Sequence, residues 1–295
     1  MPPKPSIFTF LASKWRPPSD PKVSFEGKTI VVTGANTGLG FEAAVKFVAK
    51  GASKVILGVR NAAKGENAAK EIERRTGRKG ITEVWQVDMD KYESVKSFAE
   101  RVQELKSIDI AVLNAGVYQV KYETSQYGWE QSLQVNTLST SLLALLLLPK
   151  LKSQRANLPP GEKPVLEIVG SSRYIVAPIT PEQDTSQSLL DAFNHQSDFA
   201  GDRQYKISKL FIHYATKEIS KLAGDDVIVT AVCPGACKSD LPRGYMTSPI
   251  MKFVIAFVYF LLFRTTEEGA RSLVSGTVQG ENVQGRIWKD DAVQE

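Results

Sequence analysis

Short apolar runs alternate with longer stretches of helical periodicity from residue 29 onward. The runs are Thr29–Thr33, Lys54–Val59, Glu83–Val87, Ile108–Leu113, Val165–Val169 and Val227–Val232, with a last short one at Arg286–Trp288. They are rich in Val and Ile and do not alternate cleanly with polar residues, the pattern of strands buried on both faces. Between them lie the helical candidates Leu39–Lys50, Ala62–Arg75, Tyr92–Leu105, Gln126–Leu148, Arg203–Leu222 and Glu267–Ser275. Pro149 is expected to stop the fourth, because proline removes a helical hydrogen bond. This alternation predicts an α/β fold, a Rossmann-type doubly wound parallel sheet of about seven strands with helices on both faces. Right-handed crossovers then fix most of the topology. No linker separates a second domain. The expected organisation is an N-terminal arm, 1–26, and one domain, 27–295, with an insertion at 173–204 and a small lobe at 241–265.

The first run ends in Thr33-Gly34-Ala35-Asn36-Thr37-Gly38-Leu39-Gly40 and enters a helix. Glycine lets the backbone approach a pyrophosphate, and the helix start supplies N–H groups and a positive dipole end. The spacing, Gly-x-x-x-Gly-x-Gly, differs from the usual dinucleotide fingerprint. A purely architectural turn is the plain alternative. The second run ends at Arg60, and no acid lies between Lys54 and Lys64. An acid there would accept from a ribose 2′-hydroxyl, whereas an arginine pairs with a 2′-phosphate. The expected cofactor is therefore NADP(H), with Lys64 adding charge.

Composition then narrows the chemistry. The chain has 295 residues, 42% hydrophobic and 23% charged, which excludes a disordered or collagen-like chain. Two cysteines, Cys233 and Cys237, and two histidines, His195 and His213, provide neither a disulfide framework nor a typical zinc site. A reduced, cytoplasmic setting and no metal are expected. The net charge of +5 permits an anionic cofactor or a membrane surface. The basic groups are scattered and form no nucleic-acid motif, so no nucleic-acid partner is expected. Residues 1–26 are Pro-rich and broken by charge, and their apolar stretch Ile7–Ala12 is too short for a signal peptide. They read as an arm on the domain. The alternative is a peripheral anchor on an intracellular membrane through Phe8, Phe10, Leu11 and Trp15.

Further motifs follow in order: Asp88 after the third run, Asn114-Ala115-Gly116 after the fourth, then Asn136, Ser172, Tyr205-x-x-x-Lys209 and Pro234-Gly235. With the glycine loop, this series resembles the short-chain dehydrogenase/reductase family over roughly residues 27–290. The glycine loop, Arg60 and Arg264-Thr-Thr-Glu-Glu-Gly-Ala-Arg resemble its retinol-dehydrogenase-like and fungal secondary-metabolite reductases. The resemblance implies hydride transfer between nicotinamide and a carbonyl. It makes Tyr205 the acid, with Lys209 one helical turn on to lower its pKa and hold the nicotinamide ribose. Ser172 rather than Ser171 is implied as the donor to the carbonyl oxygen. Asn136 is implied to hold a water relaying protons to Lys209. Gly34, Asn36, Thr37, Gly38, Leu39, Gly40 and Arg60 would contact the cofactor's phosphates. Asp88 and Met89 would contact adenine, and Asn114, Ala115 and Gly116 the adenine ribose and pyrophosphate. Pro234, Gly235 and Ser239 would lie beside the nicotinamide, together with Tyr205 and Lys209. The plain alternatives are a helix cap for Asp88, a turn for the serine pair and a satisfied buried amide for Asn136.

The sequence departs from the family in the 32 residues, Arg173 to Gln204, between Ser172 and Tyr205. They are expected to form a flap over one pocket edge. The apolar, aromatic segment Leu241–Phe263 suits a hydrophobic substrate, with Tyr118, Tyr122 and Tyr245 as pocket residues beside Ser172 and Tyr205. The expected activity is reversible NADPH-dependent reduction of a ketone or aldehyde on a lipophilic polyketide-, terpenoid- or retinoid-like molecule. The resemblance also implies a homo-oligomer. The alternatives are a dinucleotide sensor without turnover and a membrane-associated scaffold.

Overall fold

Strands whose side chains are apolar on both faces need neighbours and cover on every side, and here they obtain both. The computed structural model describes residues 14–179, 188–238 and 263–294. Its strands are β1 (Thr29–Thr33), β2 (Lys54–Val59), β3 (Thr82–Gln86), β4 (Ile110–Leu113), β5 (Val165–Val169), β6 (Ile228–Val232), β7 (Ile287–Lys289) and β8 (Ala292–Gln294). They form one sheet in the order β3-β2-β1-β4-β5-β6-β7-β8. Neighbours pair in parallel, except that β8 runs antiparallel to β7. The eighth strand exceeds the predicted seven. Its two-residue turn uses Asp290 and Asp291, with φ of 52° and 57°. Tight hairpins need such left-handed residues, and aspartate is among the few non-glycine types that supply them.

The helices are α1 (Gly38–Ala49), α2 (Ala62–Thr76), α3 (Tyr92–Gln103), α4 (Thr140–Gln154), α5 (Gly201–Ala223) and α6 (Thr266–Gly276). Helix α2 begins where Asn61 Oδ1 accepts from Lys64 N and ends at Gly77, φ 71°. Helix α6 opens with a reciprocal capping box between Thr265 and Glu268. One hydrophobic cluster joins β1 and β2 to α1 and α6, and a second joins the other face to α3, α4 and α5.

Two expectations about the fourth helix are corrected. Residues 126–130 are not helical. A short turn at Gln131–Leu133 leads into a π-helical stretch, Gln134–Ser139, and then α4. Pro149 does not stop α4, which runs on to Gln154. The carbonyl that loses its partner belongs to Leu145, a residue 42% exposed, where water can replace the bond. Buried Leu148 and Leu151 hold the helix on the sheet beyond it. The stretch Gln131–Asn157 is long and apolar enough to cross a membrane, but 67% of its most apolar window is buried inside the protein.

Candidate active site

The C-terminal ends of the parallel strands converge on the loop between β1 and α1. Gly34 and Gly38 have φ of 66° and 63°, a region that favours glycine. A Cβ on Gly34 would lie 3.0 Å from Ala115 Cα, and Gly40 has no room for one beside Asn114 and the Gly34 carbonyl. The three glycines thus permit a tight cradle at a helix start. Asn114 fixes its shape. Its side chain donates to the carbonyls of Thr33 (3.0 Å) and Gly34 (3.3 Å). Thr33 Oγ1 accepts from the backbone of Asn114 and Ala115, a brace that sequence reasoning missed. Leu39 points into the core, where its side chain reaches Gly269 on α6, so only its backbone can face the cradle.

A cavity of about 590 Å³ opens beside the cradle. Asn36, Thr37, Gly38, Arg60 and Lys64 line it, with Phe41 and Glu71 at its edge. Two cations and a helix start around one concavity suit a phosphate, and the arginine stands at the end of β2 as predicted. Asp88 lies at the end of β3, where its carboxylate accepts from Asp90 N at 3.2 Å. Met89 is buried in the second core cluster.

Asn136 sits inside the π-helical stretch, an arrangement often found at functional positions. Its Oδ1 accepts from Val117 N at 2.8 Å, and its Nδ2 donates to Val117 O (2.9 Å) and Ser208 Oγ (3.1 Å). It therefore clamps the chain just after Gly116, where a Cβ would lie 3.1 Å from Oδ1. The same amide ties that strand end to α5, the helix carrying Tyr205 and Lys209.

The two candidate serines follow β5 directly: the Ser171 hydroxyl accepts from Arg173 N at 3.3 Å and lies near enough to Tyr205 to lower its phenol. Ser172 begins a 3-10 turn, and its backbone N donates to Cys233 Sγ at 3.1 Å. Behind Ser171 the backbone at Gly170 is pressed against the His213 ring so closely that no Cβ fits. His213 in turn packs on Tyr174, with ring centroids 4.4 Å apart. Burial lowers His213 to about 4, helped by the Lys209 charge, so the ring is neutral. Its role behind the serine was not visible in the sequence.

Tyr205 is buried, and burial pushes its phenol up to about 12 against the lowering effect of the Ser171 hydrogen bond. Lys209 is buried as well, and burial lowers it to about 8. Its ammonium donates to Val169 O at 2.8 Å and lies 5.8 Å from the Tyr205 ring centroid. Burial is the largest influence on the phenol, ahead of the Ser171 hydrogen bond and the Cys233 and Arg173 charges. Tyr118 packs on Tyr205 at 5.2 Å between centroids. A serine hydroxyl, a phenol and an ammonium thus gather at the C-terminal end of β5.

A model of the short chain dehydrogenase family matches residues 28–157. The chain is 38% identical over 296 residues to the short-chain dehydrogenase/reductase ffsI of Aspergillus flavipes, spanning 99% of this chain and 86% of that one. It is 41% identical over 297 residues to phmF of Phaeosphaeria nodorum, with the same shares of 99% and 86%. This chain belongs to the short-chain dehydrogenase/reductase family. Its fold matches the Sphingobium yanoikuyae short-chain dehydrogenase solved with NADPH, at TM-score 0.65 and 17% identity, covering 89% of this chain and 87% of that one. It also matches the Pseudomonas aeruginosa RhlG/NADP complex, at TM-score 0.65 and 22% identity, covering 92% and 97%.

The short-chain dehydrogenase/reductase insertion is not a simple flap where it is described. Residues 188–200 pack on α5 through a small core of Leu133, Phe193, Ile207 and Phe211. Asn194 accepts from Glu130 N and donates to Gly128 O, and Gln204 donates to Phe193 O, each at 2.8 or 2.9 Å. Tyr122, expected in the pocket, donates instead to Asn194 O at 2.9 Å and packs on Phe199. His195 is exposed. Pro234 and Gly235 leave β6 beside Arg264, a buried residue whose part in the site the sequence did not reveal. Cys233 and Cys237 are free thiols, and burial pushes Cys237 up to about 12. Ser239, Tyr245 and most of the lobe at 241–265 lie outside the described residues.

Proposed function

We propose that this oxidoreductase reduces a ketone or aldehyde on a lipophilic small molecule to the alcohol with NADPH, reversibly, in a biosynthetic setting like that of its fungal relatives. The observation that carries the reading is the gathering of Tyr205 and Lys209 at the end of β5, directly before the serine pair Ser171–Ser172. The cradle fits a dinucleotide because Gly34 and Gly40 leave the space that a Cβ would fill, and Arg60 and Lys64 face the adjoining cavity. Gly34–Gly40, Arg60, Asn114–Gly116 and Pro234–Gly235 are the residues that would hold it. When bound, a reduced nicotinamide supplies a hydride to the carbonyl carbon.

The chain's own side chains deal with the oxygen. Ser172, the second of the serine pair that follows β5, donates a hydrogen bond to it and stabilises the charge that develops there. Tyr205 gives its proton to the same oxygen. A phenol raised to about 12 by burial keeps its proton at neutral pH, available for donation. Lys209, buried near the Tyr205 ring, would hold the nicotinamide ribose and steady the phenolate. Asn136 acts through Val117 and Ser208, keeping the cradle edge and α5 in register. The protein is proposed to be cytoplasmic and oligomeric. Support for a lipophilic substrate comes from the aromatic composition of 241–263 and from Tyr118 on Tyr205.

The deciding experiment replaces Tyr205 by Phe and follows NADPH oxidation with a panel of lipophilic ketones. Turnover should fall by about 10²-fold or more, while tryptophan-to-NADPH energy transfer still reports binding. Unchanged function would turn the reading toward a dinucleotide sensor. NADPH should bind about tenfold more tightly than NADH, or about 1.4 kcal/mol. Equal affinities would remove Arg60 as a 2′-phosphate partner.

A further inference from the structure

One buried arginine joins distant parts of the chain at the loop after β6. Arg264 is 1% exposed. Its backbone closes a bridge to that loop, donating to Ala236 O and accepting from Lys238 N, both at 2.8 Å. Its guanidinium lies 2.6 Å from Asp290 Oδ1, as an ion pair rather than an aligned hydrogen bond. It also donates to Pro234 O at 3.4 Å and to Arg16 O at 3.1 Å. Gly235, φ 78°, gives it room, since a Cβ there would sit 2.7 Å from Nη1. The fork is therefore packed against Pro234–Gly235 while holding residue 16 of the N-terminal arm and the hairpin of β7 and β8.

Three further contacts hold the arm in the same place. Arg271 donates to Pro18 O at 3.2 Å, and Ser19 N donates to Asp291 Oδ2 at 2.8 Å. Lys46 on α1 bridges Asp20 (3.0 Å) and Glu267 (2.5 Å). The two left-handed aspartates of the hairpin are strained for non-glycine residues. Both of their carboxylates are spent on this assembly, Asp290 on Arg264 and Asp291 on the arm. A buried guanidinium is retained only with a counter-charge and oxygen acceptors around it. Here the acceptors come from the arm and from the Pro234 carbonyl.

We propose that residues 14–20 form an intramolecular strap that, through Arg264, positions the Pro234–Gly235 loop for the nicotinamide half of the cofactor. Arg264 is a positioning residue in this scheme. The inference rests on the reading that the site takes NADPH. It separates the two halves of the dinucleotide: Arg60 and the glycine cradle serve the adenosine phosphate, and the strap serves only the nicotinamide end.

The test compares two probes on purified full-length protein, NADPH and adenosine 2′,5′-bisphosphate, which carries the 2′-phosphate but no nicotinamide. Two variants are used, Arg264→Lys and deletion of residues 1–19. Lysine keeps the charge for Asp290 but cannot fork to the carbonyls of Pro234 and Arg16. Both variants should bind NADPH about tenfold more weakly, a coupling of ordinary size, and bind the bisphosphate as wild type does. Loss of both probes in equal measure would mean general loosening and overturn the strap. Unchanged NADPH binding in the deletion variant would also overturn it, leaving the cofactor reading intact. Wild-type protein that binds neither probe would remove the cofactor reading and the strap with it. Should Arg264→Lys fail to fold, the deletion carries the test.

Discussion

Two buried groups titrate in opposite senses, and their combined effect on stability is specific enough to test. Glu167 on β5 is fully buried, and neither carboxylate oxygen has a hydrogen-bond partner. It faces α6, where Gly276 leaves it space that a Cβ would fill. Burial raises its carboxyl well above the ordinary 4.5, so it folds protonated. Burial lowers His213 from 6.5 to about 4, so it folds neutral. Between pH 4.5 and 6.5 the unfolded chain has an ionised Glu167 and a protonated His213, the reverse of the native state. Each state then holds one proton on the pair, and their slopes cancel. The glutamate alone makes stability fall as pH rises above 4.5. The histidine alone makes it fall as pH drops below 6.5. Each slope is about 1.4 kcal/mol per pH unit while the group is protonated in one state and not in the other. Urea unfolding of wild type, Glu167→Gln and His213→Gln over about pH 5 to 8 measures this through the midpoint and slope. Relative to wild type, Glu167→Gln should gain stability as pH rises through the window, and His213→Gln should gain it as pH falls. A Glu167→Gln curve parallel to wild type would refute the claim that this carboxyl folds protonated.

The catalytic assignment gives sharper outcomes. Ser172→Ala should lower kcat by about 10²-fold, whereas Ser171→Ala should retain most activity; the reverse order would move the carbonyl-oxygen donor to Ser171. Replacing Arg60 by Asp should weaken NADPH binding and favour NADH, read by the same energy-transfer titration. Reduction should slow as pH passes about 8, where buried Lys209 loses its charge, and Lys209→Arg should remove that limb from the pH–rate profile. Asn136→Ala should cost stability as well as rate, about 1–3 kcal/mol for the unpaired Val117 backbone, seen as a lower urea midpoint.

The sheet was legible because its strands carry their own evidence: Thr29–Thr33, Lys54–Val59 and Val165–Val169 are apolar enough to need cover on both faces, and they form as predicted. The glycine cradle was legible for the same kind of local reason, since Gly34 and Gly38 take left-handed φ. What escaped depends on long-range contacts. The strand β8 exists because two aspartates accept a strained turn whose reward lies far away, at Arg264 and Ser19. The passage of α4 through Pro149 depends on where the freed carbonyl faces, which spacing does not encode. Tyr122 looked like a pocket residue until the insertion supplied a closer acceptor, Asn194 O.

The serine pair shows how fine the remaining ambiguity is. Gly170-Ser171-Ser172 places two hydroxyls one residue apart at a strand end, where a single step turns a side chain to the other face. The backbone that orients both passes through Gly170, and it is pressed against His213 from α5. The same helix therefore presents Tyr205 on one turn and sets the strand end two turns later. The described part of the insertion is anchored away from the serine, at Gly128, Glu130 and Phe211. Serine and tyrosine are held by β5 and α5, so substitutions at His213 or Gly170 should disturb catalysis more than polar substitutions at exposed positions of the insertion such as His195. A His195→Ala variant with wild-type kcat, beside a Gly170→Ala variant that has lost it, is the outcome this argument requires.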